Sequence, residues 1–442
     1  MEGKEALQQR LERLTRLREL GLQRGARGLI RVSPVVPPAE RTPLPGQAVE
    51  TPFGPAWVRT VRFPLAERPD LAELLTVEPD VLAALAQDPA LKALEPARAA
   101  FIDTETTSLA TDTSTYTFMI GIGTYELRDA RAGCGAEELV SGPAFVVRQF
   151  FMRNPAEERG QLHLVEEALG PCTGLVTFNG RAFDLPLLQN RFTLACMPMP
   201  LAGAPHLDLL PPARRIWRVR LASCRLASLE QQVLGLQRSA EDVPSWLIPE
   251  VYRDYCRTGL VSDLLVRVFY HNLADVCAMP LLAARMARLF RLPNLKAEIG
   301  RSHPLECLSL ARCYEALGWA EAGVEACRAA LAGELGGADR VRVLSHLGFL
   351  LKRLGRLEAA AEVWEELIRS TPDPGLTPYV ELAKYHEWQT GDLAAAHDWA
   401  ARAWKMVEGW PPGPARSAAQ AELQHRLARL ARKLPPGGTV TP

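Results

Sequence analysis

Four apolar runs rich in β-forming residues constrain the fold of this chain most strongly. They are residues 101–103, 117–127 (TFMIGIGTYEL), 144–152 (AFVVRQFFM) and 175–178. A helical pattern over 157–169 separates the last run from the others, and residues 209–292 read as mostly helical. Strands that come first and then alternate with helices are typical of a mixed α/β sheet. We therefore predict an α/β domain over residues 96–292.

The chain before this domain divides into two parts. Residues 1–30 include an amphipathic helix over 4–24, predicted from the helical spacing of Leu7, Leu11, Leu14, Leu17 and Leu20. We expect this helix to pack on its own domain, because a coiled coil with a partner normally needs three to four heptads. Residues 31–95 are rich in proline, which predicts an extended arm with short helices. Within this arm, a hairpin is predicted around residues 52–55 (PFGP).

Residues 303–434 are helical and repetitive. Gly318, Gly355 and Gly391 lie at similar helix-turn-helix points, at intervals of 37 and 36 residues. These intervals are close to the 34-residue tetratricopeptide period, and three repeats are about the minimum for a stable stack. We predict an all-α domain of tetratricopeptide-like repeats, closed by a capping helix at 416–433, that binds a protein partner.

Composition excludes several classes of protein. The 442 residues carry 51 basic and 51 acidic side chains, which argues against coating nucleic acid by bulk charge but allows a local basic groove. No apolar run approaches the roughly 18 residues of a membrane span, and the N-terminus lacks the apolar core of a secretion signal. The nine cysteines are isolated, without a CxxC pair, as in a reducing compartment. We expect a soluble, cytoplasmic protein.

Two carboxylates lie at the end of the first of the four apolar runs and just after it. Residues i and i+2 of a strand share a face, so Asp103 and Glu105 project together. Neighbouring carboxylates at the end of a buried strand repel each other, and a cation between them removes that cost. Oxygen ligands suit Mg²⁺ or Mn²⁺. An ordinary polar strand end would read the same way if this pattern stood alone.

Two further segments carry acids in compatible positions. Asn179 and Gly180 form a turn after the fourth strand, and the turn leads into a helix with Asp184 in its first turn. The helix dipole alone favours an acid there. His271 and Asp275 are four residues apart and share one helix face, although such a pair is more often structural than catalytic.

In order and rough spacing, these three motifs resemble the DEDD (DnaQ-like) exonuclease superfamily, which has an RNase H-like fold. Within that fold, the chain resembles more closely the YprB-type RNase H-like proteins, over about residues 48–290. The resemblance rests on the stretches FIDTETTSLATDTSTYTFMIGIG, LVTFNGRAFDLPLLQNRF, HLDLLPPARRIW, SCRLASLEQQVLGLQRSAEDVPSWLIPEVYRDY and HNLADV. Each motif alone is weak, whereas three in order around a predicted mixed sheet are a strong signal.

The resemblance implies phosphodiester cleavage with two Mg²⁺ or Mn²⁺ ions. Asp103 would bridge the ions, and Glu105, Asp184 and Asp275 would be their remaining protein ligands. In one subtype of that superfamily a histidine five positions before the last acid normally assists. In another subtype a tyrosine four positions before that acid does so. Here Tyr270 and His271 are exchanged relative to those spacings, and we expect His271 to assist because its ordinary pKa is near neutrality. Ser108 replaces the glycine common after the first motif, which weakens the expectation of close nucleotide approach at that loop.

Other residues are expected to contact nucleic acid. The arginine cluster at 214–225 consists of Arg214, Arg215, Arg218, Arg220 and Arg225. Phosphate contact and a solvated helix face are almost equally good interpretations of it. The full set of expected substrate-binding residues is Thr106, Thr107, Asn179, Phe183, Arg214 and Arg215. Asp208 is a weaker candidate, because an acid at a strand end is usually solvated.

The sequence thus predicts a metal-dependent nuclease, specifically a 3′→5′ exonuclease acting on DNA or RNA. One alternative is a scaffold whose RNase H-like domain binds nucleic acid without cutting it. A structure-specific endonuclease is a second alternative, because the motifs do not distinguish the two modes of cleavage. Four acids kept together favour the enzyme over the scaffold, since a binding module has no use for their mutual repulsion.

Overall fold

A seven-stranded mixed sheet forms the centre of the α/β domain, as predicted. The computed structural model describes residues 22–25, 28–31, 42–108, 114–127, 142–238, 242–292 and 295–434. The strands are β1 (Leu22–Gly25), β2 (Gly28–Arg31), β3 (Gln47–Thr51), β4 (Gly54–Pro64), β5 (Ala99–Thr106), β6 (Thr117–Glu126), β7 (Ala144–Phe151), β8 (Gly174–Thr177) and β9 (His206–Asp208). The strand order in the sheet is β3-β4-β7-β6-β5-β8-β9, with β5, β8 and β9 parallel and the other neighbours antiparallel.

Helices cover both faces of this sheet. The helices are α1 (Pro69–Ala72), α2 (Pro79–Ala86), α3 (Glu158–Leu169), α4 (Asp184–Leu194), α5 (Leu210–Trp217), α6 (Leu226–Leu229), α7 (Ile248–Thr258) and α8 (Asp263–Arg288). Ala100 and Ile102 of β5 pack with α3 and α4 on one face, and Phe101 packs toward α5 and α8 on the other. Single turns of 3₁₀ helix lie at Glu73–Thr76, Pro89–Ala93, Pro96–Arg98, Pro155–Glu157 and Ser245–Leu247, and a π turn lies at Glu230–Leu234.

Two glycines on β6 allow α8 to lie close to the sheet. A Cβ atom at Gly121 would stand 2.3 Å from the side-chain oxygen of Asn272, and one at Gly123 would stand 2.8 Å from Val276. Gly121 is also the cross-strand partner of Asp103. Because these two glycines have no side chains, the middle of α8 lies directly beside Asp103.

The N-terminal segments differ in part from the sequence prediction. The hairpin around residues 52–55 is formed by β3 and β4, and β4 also pairs with β7, so this hairpin is the edge of the central sheet. The helix predicted over 4–24 is wrong at its end, because residues 22–25 and 28–31 pair as an antiparallel hairpin. Gly25 and Gly28 flank its turn, and glycine disfavours helix. The rest of that prediction lies outside the described residues.

The remaining helices form consecutive antiparallel pairs. Gly318, Gly355 and Gly391 lie between the two helices of successive pairs, with φ of 77°, 73° and 70°. This left-handed conformation ends a helix at no steric cost for glycine, which explains why the period is visible in the sequence. The helices are α9 (Leu295–Arg301), α10 (Pro304–Ala316), α11 (Ala320–Ala332), α12 (Gly337–Arg353), α13 (Leu357–Ser370), α14 (Thr377–Tyr385), α15 (Leu393–Glu408) and α16 (Pro414–Lys433), with a π turn at His386–Thr390.

This helical region packs directly on the α/β domain. Arg220, just after α5, forms an ion pair with the buried Glu306 of α10, and Tyr314 donates to the carbonyl of Leu289 at 2.6 Å. Apolar side chains of α5, α8 and α10 belong to one continuous core. No helix in the described parts of the chain combines the length and apolarity that crossing a membrane requires.

Substituting Gly348 with alanine is expected to destabilise the helical region. The added Cβ would lie 2.5 Å from the ring of the buried Trp364, so the two helices must separate. Overpacking of this kind costs about 1–3 kcal/mol. The matched control is Gly300→Ala, at an exposed helix position with open space around it, where alanine is neutral or slightly stabilising. Thermal unfolding of the two variants measures the difference, and equal midpoints would contradict this packing.

Candidate functional site

Asp103 and Glu105 lie on the same face of β5, as the strand alternation predicts. Glu105 is buried and Asp103 half-buried. Burial raises the pKa of Asp103 well above its usual range, and the charges of Asp275, Glu105 and Asp184 raise it further. Burial likewise raises the pKa of Glu105 to about 8, with contributions from Asp275 and Asp184. The four acids therefore share one region and repel one another there.

Asp184 enters this region from the first residue of α4. One of its carboxylate oxygens accepts hydrogen bonds from the backbone N–H of Thr104 at 3.1 Å and from the Thr104 hydroxyl at 2.6 Å. Burial raises the pKa of Asp184 to about 6, although these hydrogen bonds oppose the shift. Asp184 is thereby tied to β5 between the two other acids.

The turn before α4 depends on Asp208. Its buried carboxylate accepts from the backbone N–H groups of Asn179 at 2.7 Å, Arg181 at 3.2 Å and Leu210 at 3.1 Å. Asn179 has a left-handed φ of 69°, which asparagine tolerates better than most residues. Asp208, a weak candidate in the sequence, therefore holds the backbone that aims Asp184 rather than standing solvated at a strand end.

His271 and Asp275 share one face of α8, as predicted from their spacing. His271 Nε2 lies 3.6 Å from Asp275 Oδ2 and 3.4 Å from the Ser245 hydroxyl. Its Nδ1 lies 2.6 Å from Asp242 Oδ1, and since a carboxylate only accepts, this contact assigns the proton to Nδ1. Burial alone would lower the pKa of His271, but Asp275 and the hydrogen bond to Asp242 raise it to about 9.

An arginine also reaches this group. Arg238 forms an ion pair with Asp275, lies 3.2 Å from Asp242, and donates to both oxygens of the buried Glu230 at 2.5 and 2.7 Å. The bidentate contact with Glu230 fixes the plane of the guanidinium. Arg238 therefore supplies a positive charge at the Asp275 side of the acid cluster.

The chemistry of the four acids fits a divalent cation. They offer only oxygen donors, and burial together with mutual repulsion raises the pKa of Asp103, Glu105 and Asp184, a cost that a bound cation would relieve. Among the described residues, however, no three His, Cys, Asp or Glu side chains already stand in the arrangement of a metal site. The donor set is thus suitable, while the side chains as placed include the Arg238–Asp275 ion pair.

Comparison with known proteins agrees with this fold. Residues 100–287 match the sequence profile of the RNase H superfamily. The α/β domain has an RNase H-like fold. The chain is also 28% identical over 348 residues to the uncharacterized protein YprB of Bacillus subtilis (strain 168), covering 77% of this chain and 78% of that protein. That alignment is longer than residues 1–287, so the similarity extends beyond the RNase H-like domain into the helical region.

The residues predicted to contact substrate differ in whether they already have partners in the protein. Thr106 donates to the carbonyl of Ser108 at 2.6 Å and Thr107 accepts from the backbone of Tyr116 at 3.0 Å, so both shape the loop after β5. Phe183 is 50% exposed immediately before Asp184. Its ring is therefore available to a ligand beside the acids.

The arginine cluster is partly used for structure. Arg215 donates to the carbonyl of Leu85 at 2.8 Å, and Arg220 pairs with Glu306, which leaves these two turned toward the protein. Arg214, Arg218 and Arg225 are exposed. Of the described hydrogen bonds and ion pairs, none joins this cluster to the four acids. Surface contact with phosphate thus remains an expectation for Arg214, whereas Arg215 already has a protein partner.

Several residues of the site were missed in the sequence. Glu230 begins the π turn after α6, and Arg238 and Asp242 lie outside the described helices and strands, so no local pattern marks them. Gln149 and Asn272 are fully buried between β7 and α8. Gln149 was detectable in principle, because it and Arg148 are the two polar residues in the otherwise apolar run of β7.

Proposed function

We propose that this protein is a metal-dependent nuclease of the DEDD type, acting as a 3′→5′ exonuclease. The observation that carries the proposal is the grouping of Asp103, Glu105, Asp184 and Asp275, drawn from β5, α4 and α8, in one buried and mutually repelling set. An RNase H-like domain is consistent with nucleic acid as the substrate. A protein that only bound nucleic acid would be more stable without these buried charges.

In the proposed reaction the four acids would hold two Mg²⁺ or Mn²⁺ ions. When bound, these ions would supply activation of a water molecule and stabilisation of the leaving oxygen. His271 takes the proton of the attacking water on Nε2, while Asp242 holds the ring through Nδ1. Of the negative charges that raise the pKa of His271, those of Asp275 and Glu105 are ones that the cations would neutralise, which favours a proton-accepting imidazole. Thr104 keeps Asp184 oriented throughout.

The helical region supports a second part of the proposal. We propose that its helix pairs are tetratricopeptide-like repeats and bind a protein partner. Support comes from the 37- and 36-residue intervals of the left-handed glycines and from Trp388, which is 57% exposed. Such a partner would bring the nuclease to its substrate.

The nuclease proposal is tested with end-labelled single- and double-stranded DNA and RNA. The full-length protein is incubated with each substrate in Mn²⁺, in Mg²⁺ and with a chelator. We expect metal-dependent release of mononucleotides from the 3′ end of at least one substrate. Internal fragments as the first products would indicate an endonuclease, and binding without metal-dependent cleavage of any substrate would indicate the scaffold.

The metal-free protein is expected to lose stability as the pH rises from 5 to 8. Because the folded-state pKa is about 8 for Glu105 and about 6 for Asp184, the folded protein keeps protons that the unfolded chain has already released. Stability therefore falls with increasing pH across this window. We expect Tm to fall by at least about 4 °C, measured by calorimetry. Saturating Mn²⁺ is the matched condition and should abolish most of the fall, whereas a metal-free Tm that rises with pH would contradict the assignment.

A further inference from the structure

We propose that Gln149 and Asn272 form a buried relay that positions the carboxylate of Asp103 for its cation. The inference rests on the proposed function, because it assigns a role toward the same metal site. Both residues are positioning residues, since neither is expected to touch substrate. The relay runs from β7 through α8 to β5, and both amide side chains are fully excluded from solvent.

Asn272 contacts Asp103 directly. Its Nδ2 donates to Oδ2 of Asp103 at 2.9 Å and to the backbone carbonyl of the same residue at 3.2 Å. An amide donor on one carboxylate oxygen favours the charged form and fixes the rotation of the carboxylate. Asp103 is thereby held with one oxygen toward α8, which leaves its other oxygen to the acid cluster.

Gln149 determines which way the Asn272 amide faces. Its Nε2 donates to Oδ1 of Asn272 at 2.9 Å and to the carbonyl of Phe269 at 2.8 Å, and its Oε1 accepts from Arg59 at 3.2 Å. If the Asn272 amide flipped, its NH₂ group would face the NH₂ group of Gln149, and its oxygen would face two acceptors of Asp103. The partners of Gln149 therefore allow only one orientation, with the donor on Asp103.

Gly121 leaves the space that this contact needs. It is paired with Asp103 across β5 and β6, and any Cβ there would stand 2.3 Å from Oδ1 of Asn272. A side chain at this position would displace the amide from the carboxylate. Asn272, which contacts Asp103, is thus constrained from both β6 and β7, which is more than packing of α8 alone requires.

Gln161 provides a matched control for the relay. Like Gln149, it is buried, and it donates to a backbone carbonyl, that of Phe150, at 2.9 Å. This hydrogen bond, unlike those of Gln149, does not lead to Asn272 or Asp103. Gln149→Met and Gln161→Met therefore remove comparable buried amides. Only the first interrupts the relay.

The experiment measures Mn²⁺ affinity by electron paramagnetic resonance in the full-length protein, the two variants and Asp103→Asn, with Tm recorded for each. We expect Gln149→Met to raise the Kd for Mn²⁺ by about tenfold or more, since outer partners of metal ligands contribute about 10–100-fold. Gln161→Met should leave Kd unchanged while lowering Tm to a similar extent. Equal Kd values for the two variants would overturn the relay.

Two further results keep the outcome clear. Failure of the unaltered protein to bind Mn²⁺, or unchanged binding by Asp103→Asn, would refute the proposed function itself rather than the relay. If Gln149→Met does not fold, Gly121→Ala tests the same contact by pushing on Asn272. Its Kd should also rise about tenfold, and a folded Gly121→Ala protein with unaltered Kd would refute the relay.

Discussion

Replacing Asp103 with asparagine is expected to lower metal-dependent phosphodiester cleavage by about 10³-fold or more. Burial raises the pKa of Asp103, and the charges of Asp275, Glu105 and Asp184 raise it further, so a cation held by Asp103 would relieve repulsion from all three. A metal ion contributes several kcal/mol to stabilisation of the transition state, and about 4 kcal/mol corresponds to about 10³ in rate. Mn²⁺ affinity should fall together with the rate.

The same substitution should stabilise the protein without metal. Asparagine has nearly the same shape as aspartate and can still accept from Asn272, but it carries no charge to bury or to repel its neighbours. We expect the metal-free Tm at pH 8 to rise by about 2 °C or more. Loss of cleavage caused by misfolding would instead appear as a lower Tm.

Asp80→Asn is the control for this experiment. Its side chain is 78% exposed and forms a surface ion pair with Lys92. This variant removes one carboxylate outside the cluster, so both cleavage and Mn²⁺ affinity should be unchanged. Cleavage by Asp103→Asn at the rate of Asp80→Asn would refute the site assignment.

Replacing His271 with glutamine is expected to reduce cleavage by about 100-fold or more while Mn²⁺ affinity changes little. Loss of a general base costs about 10²–10⁴ in rate. Glutamine can fill the space beside Asp242 and Ser245, but it cannot take a proton from water. The effect should therefore appear in kcat rather than in KM, because His271 is not assigned to substrate binding.

Tyr270→Phe is the matched variant for the neighbouring residue. The sequence favours His271 because its ordinary pKa is near neutrality. The structure adds that its Nε2 lies 3.6 Å from Asp275 and that its Nδ1 is held by Asp242. Tyr270→Phe should retain most of the cleavage rate. The opposite result, a large loss in Tyr270→Phe and little loss in His271→Gln, would transfer the proton-accepting role to Tyr270.

The sequence alone was sufficient for elements whose cause is local. Strand alternation put Asp103 and Glu105 on one face, and helical spacing put His271 beside Asp275, because both follow from backbone geometry. The period of the helical region was visible for a similar reason: Gly318, Gly355 and Gly391 each adopt a left-handed turn that glycine accepts at little cost.

The sequence was misleading where pairing is not local. Residues 22–25 continue a leucine-rich helical pattern, yet they pair with 28–31 in a hairpin. The 31–95 segment read as an arm, whereas β4 hydrogen-bonds along β7 and so belongs to the edge of the sheet. A strand's partner depends on which other strand is near in space, and no local pattern records that.

The sequence by itself determined the α/β class and the all-helical region that follows it, and it selected the four acids on which the proposed function depends. Only the tertiary structure decided what surrounds the acids. Arg238 pairs with Asp275, and Asp242 contacts His271, although both lie outside the described helices and strands. Gln149 acts on Asp103 through Asn272. The physical reason is that the charge and orientation of a buried carboxylate depend on donors within about 3 Å, wherever those donors lie along the chain.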